Sequence, residues 1–569
     1  MKKHLPLSLA FISLLFTSTY ADQPVHCLKN EILGTWVFRA TKDSFAVDLH
    51  YAKAVCTHLQ PNRLQLVAEG ASEFELSGET EEYEVELSEP NRAVIKRGLS
   101  NVEGTWTMLY DQGMIIESPE LRFYANFKYT IKTDKQDEDS IKQLEESSYD
   151  AFNSICYQTM VGFVLHNSEE SNQLTNRFGC FTGYKPGSKF ITETSEQIQQ
   201  DEEAQIVYSS ISTKANTLSQ VQYEQLMRPL VDYVNENNST SWKAHVDERY
   251  AGLNMAQVRM HLKNGQKQSR AKNRLTQTNQ IFEDHKDLND PKYAQTMKKA
   301  QKYLNTPVED MRDEDLPEEW DWRKVDGVDF TSPIRDQGGC GSCYTISFVT
   351  SVESRIKIAT GKEVILSPQF LLSCNFFNEG CSGGWPLLNG FFTQIFSLPL
   401  ESCAPYESST HHSTCASFAH CPPAVDILSA SYLGGYYGAS SESLMMREIR
   451  ARGPIVGDVN VPMGFSVYRE GIFHDECEKG FQDKLLETGE VNDQTLADYN
   501  IEWELVNHSI VIVGWGVENG VKFWICRNSY GSRYGEDGGH FRVRRGQNDL
   551  GIESHPSSYT ARLIDNFTQ

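Results

Sequence analysis

The stretch "RDQGGCGSCYTIS", residues Arg335 to Ser347, holds two cysteines in a C-x-x-C spacing. That spacing serves a dithiol redox pair, half of a zinc site, or a nucleophile beside a structural cysteine. A zinc site wants a second Cys or His pair at short spacing, which this sequence does not offer, so no metal ligand set is read. A redox pair belongs after a strand in a βαβ unit, and would leave three other residues unexplained. A thiol nucleophile instead needs an imidazole, a group to orient that ring, and an oxyanion donor. Cys343 opens a run in which Ile346, Val349, Val352 and Ile356 recur at helical spacing, with Gly361 placed to end it. A thiol at a helix start is favoured as thiolate by the dipole and the unpaired N–H groups. His508 and Asn528 lie at the outer ends of "NHSIVIVGWG" and "KFWICRNSYG", joined by "VENG", whose Asn519-Gly520 is a strong hairpin signal. Antiparallel pairing brings the two residues together, so the Asn528 amide can hold the His508 ring. Gln337 precedes Cys343 closely enough for its amide to join the Cys343 backbone N–H in an oxyanion hole.

The elements that must position these groups fall into regions. The chain opens "MKKHLPLSLAFISLLFTSTYADQ", with a basic start, an apolar run and small residues, the layout of a secretory signal peptide over 1–21, cut after Ala21. The apolar run is short of the ~20 residues a membrane span needs, and no other stretch approaches that length. Secretion puts the 13 cysteines where disulfides are the default, and the odd count leaves at least one thiol unpaired. From 22 to 188, runs such as "TWVFRA", "RLQLVAEG", "EYEVELSE", "TWTMLYDQGMIIES" and "LRFYANFKYTIK" alternate between Gly, Pro, Asn and Asp breaks, as in an antiparallel barrel or sandwich. From 189 to 315 the text is polar and free of cysteine, with helical propensity in "KYAQTMKKAQKYLN". It has the character of a propeptide that folds weakly or only against a neighbour. From 316 to 569 the chain is dense in Gly, Trp, Tyr and Cys. The net charge of -24 argues against nucleic acid or an anionic membrane as partner.

"QGGCGSCY" fits the pattern C-G-[SA]-C-[WY], and on it, with "NHSIVIVGWG" and "RNSYGSRYGEDGG", the 316–569 region resembles the papain family of cysteine proteases. The resemblance implies an α+β fold with a helical lobe and a β-barrel lobe, and Gln337, Cys343, His508 and Asn528 as catalytic residues. It implies a disulfide from Cys340 to Cys381 of "CSGG", which leaves Cys343 free. Tyr530 and Tyr534 stand where the family usually has Trp, so altered efficiency is expected. His508 also follows Cys343 by more than the family's roughly 130–150 residues. The polar stretch "DECEKGFQDKLLETGEVNDQTLADYN" reads as the insertion, an exposed and cleavable loop.

"DQPVHCLKNEILGTWVF", "RFYANFKY", "ICYQTMVGFV" and "GCFTG" resemble the exclusion domain of the cathepsin C (dipeptidyl peptidase I) branch. That likeness implies an all-β barrel closing the cleft beyond the second substrate residue. It also implies removal of dipeptides from free N-termini, with the carboxylate of Asp22 holding the substrate's α-ammonium. It further implies disulfides Cys27–Cys156, Cys56–Cys180, Cys374–Cys415 and Cys403–Cys421. Cys477 and Cys526 are left either to pair or to stay apart. Gly383 and Gly384 are expected along the substrate backbone. Trp385 and Tyr432 match positions of a family chloride site, but Leu387 replaces a tyrosine, which puts chloride in doubt; no other cofactor is required. The branch implies a homotetramer, an activating protease that trims near Leu316, and a secretory or lysosome-like acidic compartment. Sequons stand at Asn237, Asn238, Asn507 and Asn566, with Asn507 expected to stay unmodified. The rival readings are an endopeptidase with a displaced barrel and a non-catalytic binding protein on the same fold.

Overall fold

The computed structural model describes residues 25–42, 79–131, 152–167, 174–187, 223–237, 241–250, 308–410, 414–476 and 506–564, with a few isolated positions between. The signal peptide, Asp22, "RLQLVAEG", "KYAQTMKKAQKYLN" apart from Lys298, Cys477 and most of the acidic insertion lie outside the described residues.

The alternating N-terminal runs form strands β1 (Gly34–Thr41), β2 (Phe45–Ala46), β3 (Thr80–Ser88), β4 (Arg92–Arg97), β5 (Ser100–Leu109), β6 (Gly113–Glu117), β7 (Leu121–Ile131), β8 (Phe152–Thr159), β9 (Gly162–Asn167) and β10 (Leu174–Tyr184). Antiparallel pairing runs β1-β3-β4-β5-β6-β7, crosses to β9 and β10, and returns to β1, closing a barrel that leaves no free edge along this ring. Trp36, Phe38, Tyr83, Trp106, Phe123 and Phe181 fill the interior. The β5–β6 turn, Tyr110 to Gln112, begins with Tyr110 at φ 53° and points away from that interior core toward the C-terminal region.

In the middle region helix α1 (Tyr223–Glu236) and strand β11 (Trp242–Ala244) are described. Tyr223, Met227, Leu230, Val234, Trp242 and Tyr250 are buried in one core with residues of the C-terminal sheet, and β11 pairs with β16 (Tyr468–Phe473). The apolar side of this otherwise polar segment is therefore covered by its neighbour.

The C-terminal region has a helical side, α2 (Cys343–Thr360), α3 (Pro368–Cys374) and α4 (Pro386–Ile395), packed on a sheet. Gly361 ends α2 in the left-handed conformation, as its position after the periodic run predicts. The sheet comprises β11, β12 (Trp320–Asp321), β13 (Leu398–Pro399), β14 (Pro423–Tyr432), β15 (Ile455–Val459), β16, β17 (His508–Glu518), β18 (Val521–Arg527), β19 (His540–Arg544) and β20 (Ser557–Leu563), and α5 (Glu442–Arg452) lies against β15 and β17. β17 and β18 form the expected hairpin, with Asn519 at φ 52° and Gly520 at φ 79°. β17 is buried on both faces: Ile510 and Ile512 enter one core, Val511 and Val513 another. Gly514 is needed because β12 crosses so closely that a Cβ would sit 2.0 Å from the Trp320 carbonyl oxygen. The five expected disulfides are present, and Cys343 and Cys526 are free and buried. Asn507 is held by its neighbours, its amide donating to Asn460 Oδ1 at 2.8 Å.

Barrel and C-terminal region meet through an apolar face in which Phe163 and Phe178 pack on Phe376 and Phe377. Polar contacts flank it. Arg122 donates to Gln394 Oε1 at 2.8 Å, and the Tyr437 backbone N–H to Thr107 Oγ1 at 2.9 Å.

Candidate active site

Cys343 is the first residue of α2 and is 8% exposed. Its C-x-x-C partner Cys340 is bonded to Cys381, so the pair is no dithiol. His508 opens β17 and Asn528 directly follows β18. His508 Nε2 lies 2.8 Å from Asn528 Oδ1, which also accepts the Ser529 backbone N–H at 2.8 Å. Two donors on one oxygen fix the amide orientation. His508 Nε2 therefore carries the hydrogen, and in the neutral ring Nδ1 keeps its lone pair, buried and without a hydrogen-bond partner. The ring stacks on Tyr530 at 4.8 Å and 27°, and Tyr534 meets Tyr530 edge-on at 5.2 Å. Tyrosine thus supplies the apolar shield that the sequence placed there in place of tryptophan.

The thiol departs from the sequence expectation. Burial pushes Cys343 up to about 12, although backbone N–H groups of Ser509, Tyr344 and Cys343 itself pull the other way. Burial likewise pushes His508 down to about 4 against the Asn528 hydrogen bond. In this enclosed arrangement desolvation outweighs the helix start, and the resting pair is a neutral thiol and a neutral imidazole.

Gln337 is 1% exposed and tied at every polar group. Its Nε2 donates to the Cys340 carbonyl at 3.2 Å, its Oε1 accepts the Ser529 hydroxyl at 2.6 Å, and its carbonyl accepts the Tyr406 hydroxyl at 2.8 Å. One Nε2 hydrogen thus remains for a ligand near Cys343. Upstream, Arg335 is bound to Glu353 of α2 at 2.7 Å and to Glu401 at 3.0 Å, which fastens the Gln337 loop to the helix that carries Cys343. The sequence reading did not single out Arg335, Ser509 or Ser529, because their partners are distant in the chain.

Gly383 and Gly384 have φ of 121° and 157°. At Gly384 a Cβ would fall 2.4 Å from Asn378 Oδ1, which accepts the Trp385 backbone N–H at 2.8 Å. The Trp385 indole donates to Gln112 Oε1 of the barrel turn at 3.3 Å, and Tyr110 of that turn lies 5.1 Å from the Trp385 ring. Tyr432 is close by, its hydroxyl accepting the Tyr110 backbone N–H. This set does not fit a chloride ion. Both Trp385 N–H groups are engaged, Leu387 offers no donor, and the Asp458 carboxyl stands near Tyr432. Asp22 lies outside the described residues. Cys403, His420 and Cys421 also cluster, but the two sulfurs are joined to each other.

Residues 316–501 and 493–560 match the family model described as papain family cysteine protease, and residues 22–185 match the cathepsin C exclusion domain. Over 246 residues the chain is 36% identical to a cathepsin C of Schistosoma mansoni, covering 42% of this chain and 50% of that protein. Over 322 residues it is 29% identical to dipeptidyl aminopeptidase 1 of Plasmodium falciparum, covering 44% and 45%. The chain spans about half the length of these relatives. A digestive procathepsin L 3 of Tenebrio molitor larval midgut is similar at 20% identity and a TM-score of 0.40, over 61% of this chain and 93% of that one.

Proposed function

We propose, from the premise that this chain carries a papain family cysteine protease domain joined to a cathepsin C exclusion domain, that it is a cysteine exopeptidase removing dipeptides from free N-termini. Cys343 Sγ attacks the carbonyl of the second residue while His508 Nδ1, its lone pair free, takes the thiol proton. The oxyanion meets the Cys343 backbone N–H and the spare Gln337 Nε2 hydrogen. Protonated His508, steadied by Asn528, gives its proton to the leaving amine. The imidazole then activates a water that clears the acyl-enzyme. No cofactor takes part.

The observation that carries the exopeptidase reading is the barrel turn at the cleft. Gln112 and Tyr110 contact Trp385 beside Gly383 and Gly384, where substrate backbone is expected to lie. A wall there leaves room for a short N-terminal segment only. The Asp22 carboxylate, freed by cleavage after Ala21, pairs with the substrate ammonium and sets the two-residue length. The reading includes secretory routing to a lysosome-like compartment, excision of 189–315 by an activating protease, and a homotetramer. Both names printed for the curated relatives, a cathepsin C and a dipeptidyl aminopeptidase, accord with it.

The test is digestion of an unblocked peptide of a dozen residues by the processed protein, followed by mass spectrometry. Stepwise loss of dipeptide masses is expected, and Cys343→Ala abolishes it. Internal cuts without an N-terminal ladder contradict the reading.

A further inference from the structure

Beside this machinery lies a cluster of buried polar groups that the mechanism leaves unused. Asp458 sits inside β15, 3% exposed, directly opposite Ser509. The Ser509 hydroxyl donates to its Oδ1, and among the described residues no cation pairs with it. Its charge reaches both the Cys343 sulfur and the Tyr432 hydroxyl, which places it at the reacting end of the cleft. Val456 of β15 pairs with Ser557 of β20, and that register carries His555 alongside Asp458. His555 is 2% exposed, and neither ring nitrogen has a hydrogen-bond partner. A buried imidazole with both nitrogens idle is a costly arrangement unless something else satisfies it.

Aromatic rings surround it. Tyr437 stacks on His555 at 5.2 Å and 29°, Tyr110 of the barrel turn stands at 5.7 Å, and Tyr432 at 6.4 Å. An unpaired carboxyl, a neutral imidazole with a free lone pair, and the faces of several rings form a set suited to a cation. Because Tyr110 belongs to the barrel, the cluster lies on the side of the cleft that the barrel closes. Under the dipeptidyl reading, on which this inference rests, that side receives the N-terminal residue of the substrate.

We propose that this cluster selects a cationic side chain, lysine- or arginine-like, on the N-terminal residue of the substrate, with Asp458 as counter-ion and the Tyr110, Tyr437 and His555 rings as walls. Burial keeps the Asp458 carboxyl up to about 7 and the His555 ring down to about 4, so an arriving ammonium meets a carboxyl ready to ionise and no opposing charge on the ring.

The experiment compares dipeptide amides with free N-termini that differ only in the first residue: lysine, norleucine or glutamate. With the processed enzyme, kcat/KM for lysine is expected to exceed that for norleucine about tenfold or more, with glutamate lowest. Asp458→Asn is expected to lower the lysine-to-norleucine ratio by about tenfold, whatever happens to the absolute rates. Norleucine equal to or better than lysine in the native enzyme overturns the proposal, as does a ratio unmoved by Asp458→Asn. If that variant does not fold, the native ratio decides alone, because norleucine matches the lysine stem without its charge. Norleucine cleaved and lysine refused sinks this inference but leaves the dipeptidyl reading standing. Acetylated substrates cleaved as fast as free ones sink both.

Discussion

Asn528 Oδ1 receives His508 Nε2 and the Ser529 backbone N–H, each at 2.8 Å, so a single oxygen sets both the tautomer and the tilt of the ring. Asn528→Ala removes that oxygen from a buried site and frees the ring to turn or to carry its proton on Nδ1. The expected result is a fall in kcat of about 100-fold with a much smaller change in KM, given that a wrong tautomer costs about 10⁴ in a related triad geometry. Steady-state kinetics of the purified variant checks the split. A change confined to KM contradicts the orienting role.

Buried neutral histidines set the response to acid. Burial holds His508 and His555 at about 4 and His540 at about 3, below the ~6.5 of an unfolded ring. Above ~6.5 both states are neutral and the folded rings contribute fully. As pH falls from there toward 4, the unfolded chain takes up protons that the folded one refuses, and stability is lost. Asp458, held up to about 7 by burial, works in the opposite sense but is a single group. Thermal melts at constant ionic strength are therefore expected to give a lower Tm at pH 4 than at pH 6.5. A flat or rising Tm on acidification contradicts this.

Arg335 bridges Glu353 and Glu401 with its side chain 10% exposed and theirs 1% and 7%. Arg335→Met leaves two buried carboxylates without their cation, which typically costs about 3–5 kcal/mol. Urea unfolding is expected to register a loss of that order. Because the Gln337 loop is fastened through Arg335, kcat is expected to fall as well under conditions where the variant remains folded.

The barrel is held by aromatic contacts of Phe163 and Phe178 with Phe376 and Phe377. Replacing Phe376 and Phe377 together by Ala removes two large side chains, at about 3–5 kcal/mol each where fully packed. The loosened barrel is expected to admit an N-terminally blocked substrate that the native enzyme refuses. An unchanged ratio of blocked to unblocked cleavage would show that the barrel does not gate the cleft.

Much of this site was legible in the sequence because its parts carry local signals. Cys343 heads a periodic run that ends at Gly361, and Asn519-Gly520 announces the hairpin that brings His508 to Asn528. The barrel was legible for the same reason, since alternation and turn residues are short-range. What could not be read is whatever depends on desolvation or on distant partners. The helix start argued for a thiolate, yet enclosure reverses the sign at Cys343. Arg335 and Glu401 read as surface charges until the fold buries them together. Asp458 offered one faint signal, an acid in the middle of the apolar run "PIVGDVNV". His555 offered none, because its idle nitrogens are a property of the packed structure.

The central claim is that a barrel converts a papain-like cleft into one that measures two residues from a free terminus. It is tested most directly with the processed protein and one fluorogenic dipeptide amide, first with its N-terminus free and then acetylated. The account predicts cleavage of the free form, loss of that cleavage in Cys343→Ala, and no measurable turnover of the acetylated form. Equal turnover of both would mean an open cleft and an endopeptidase.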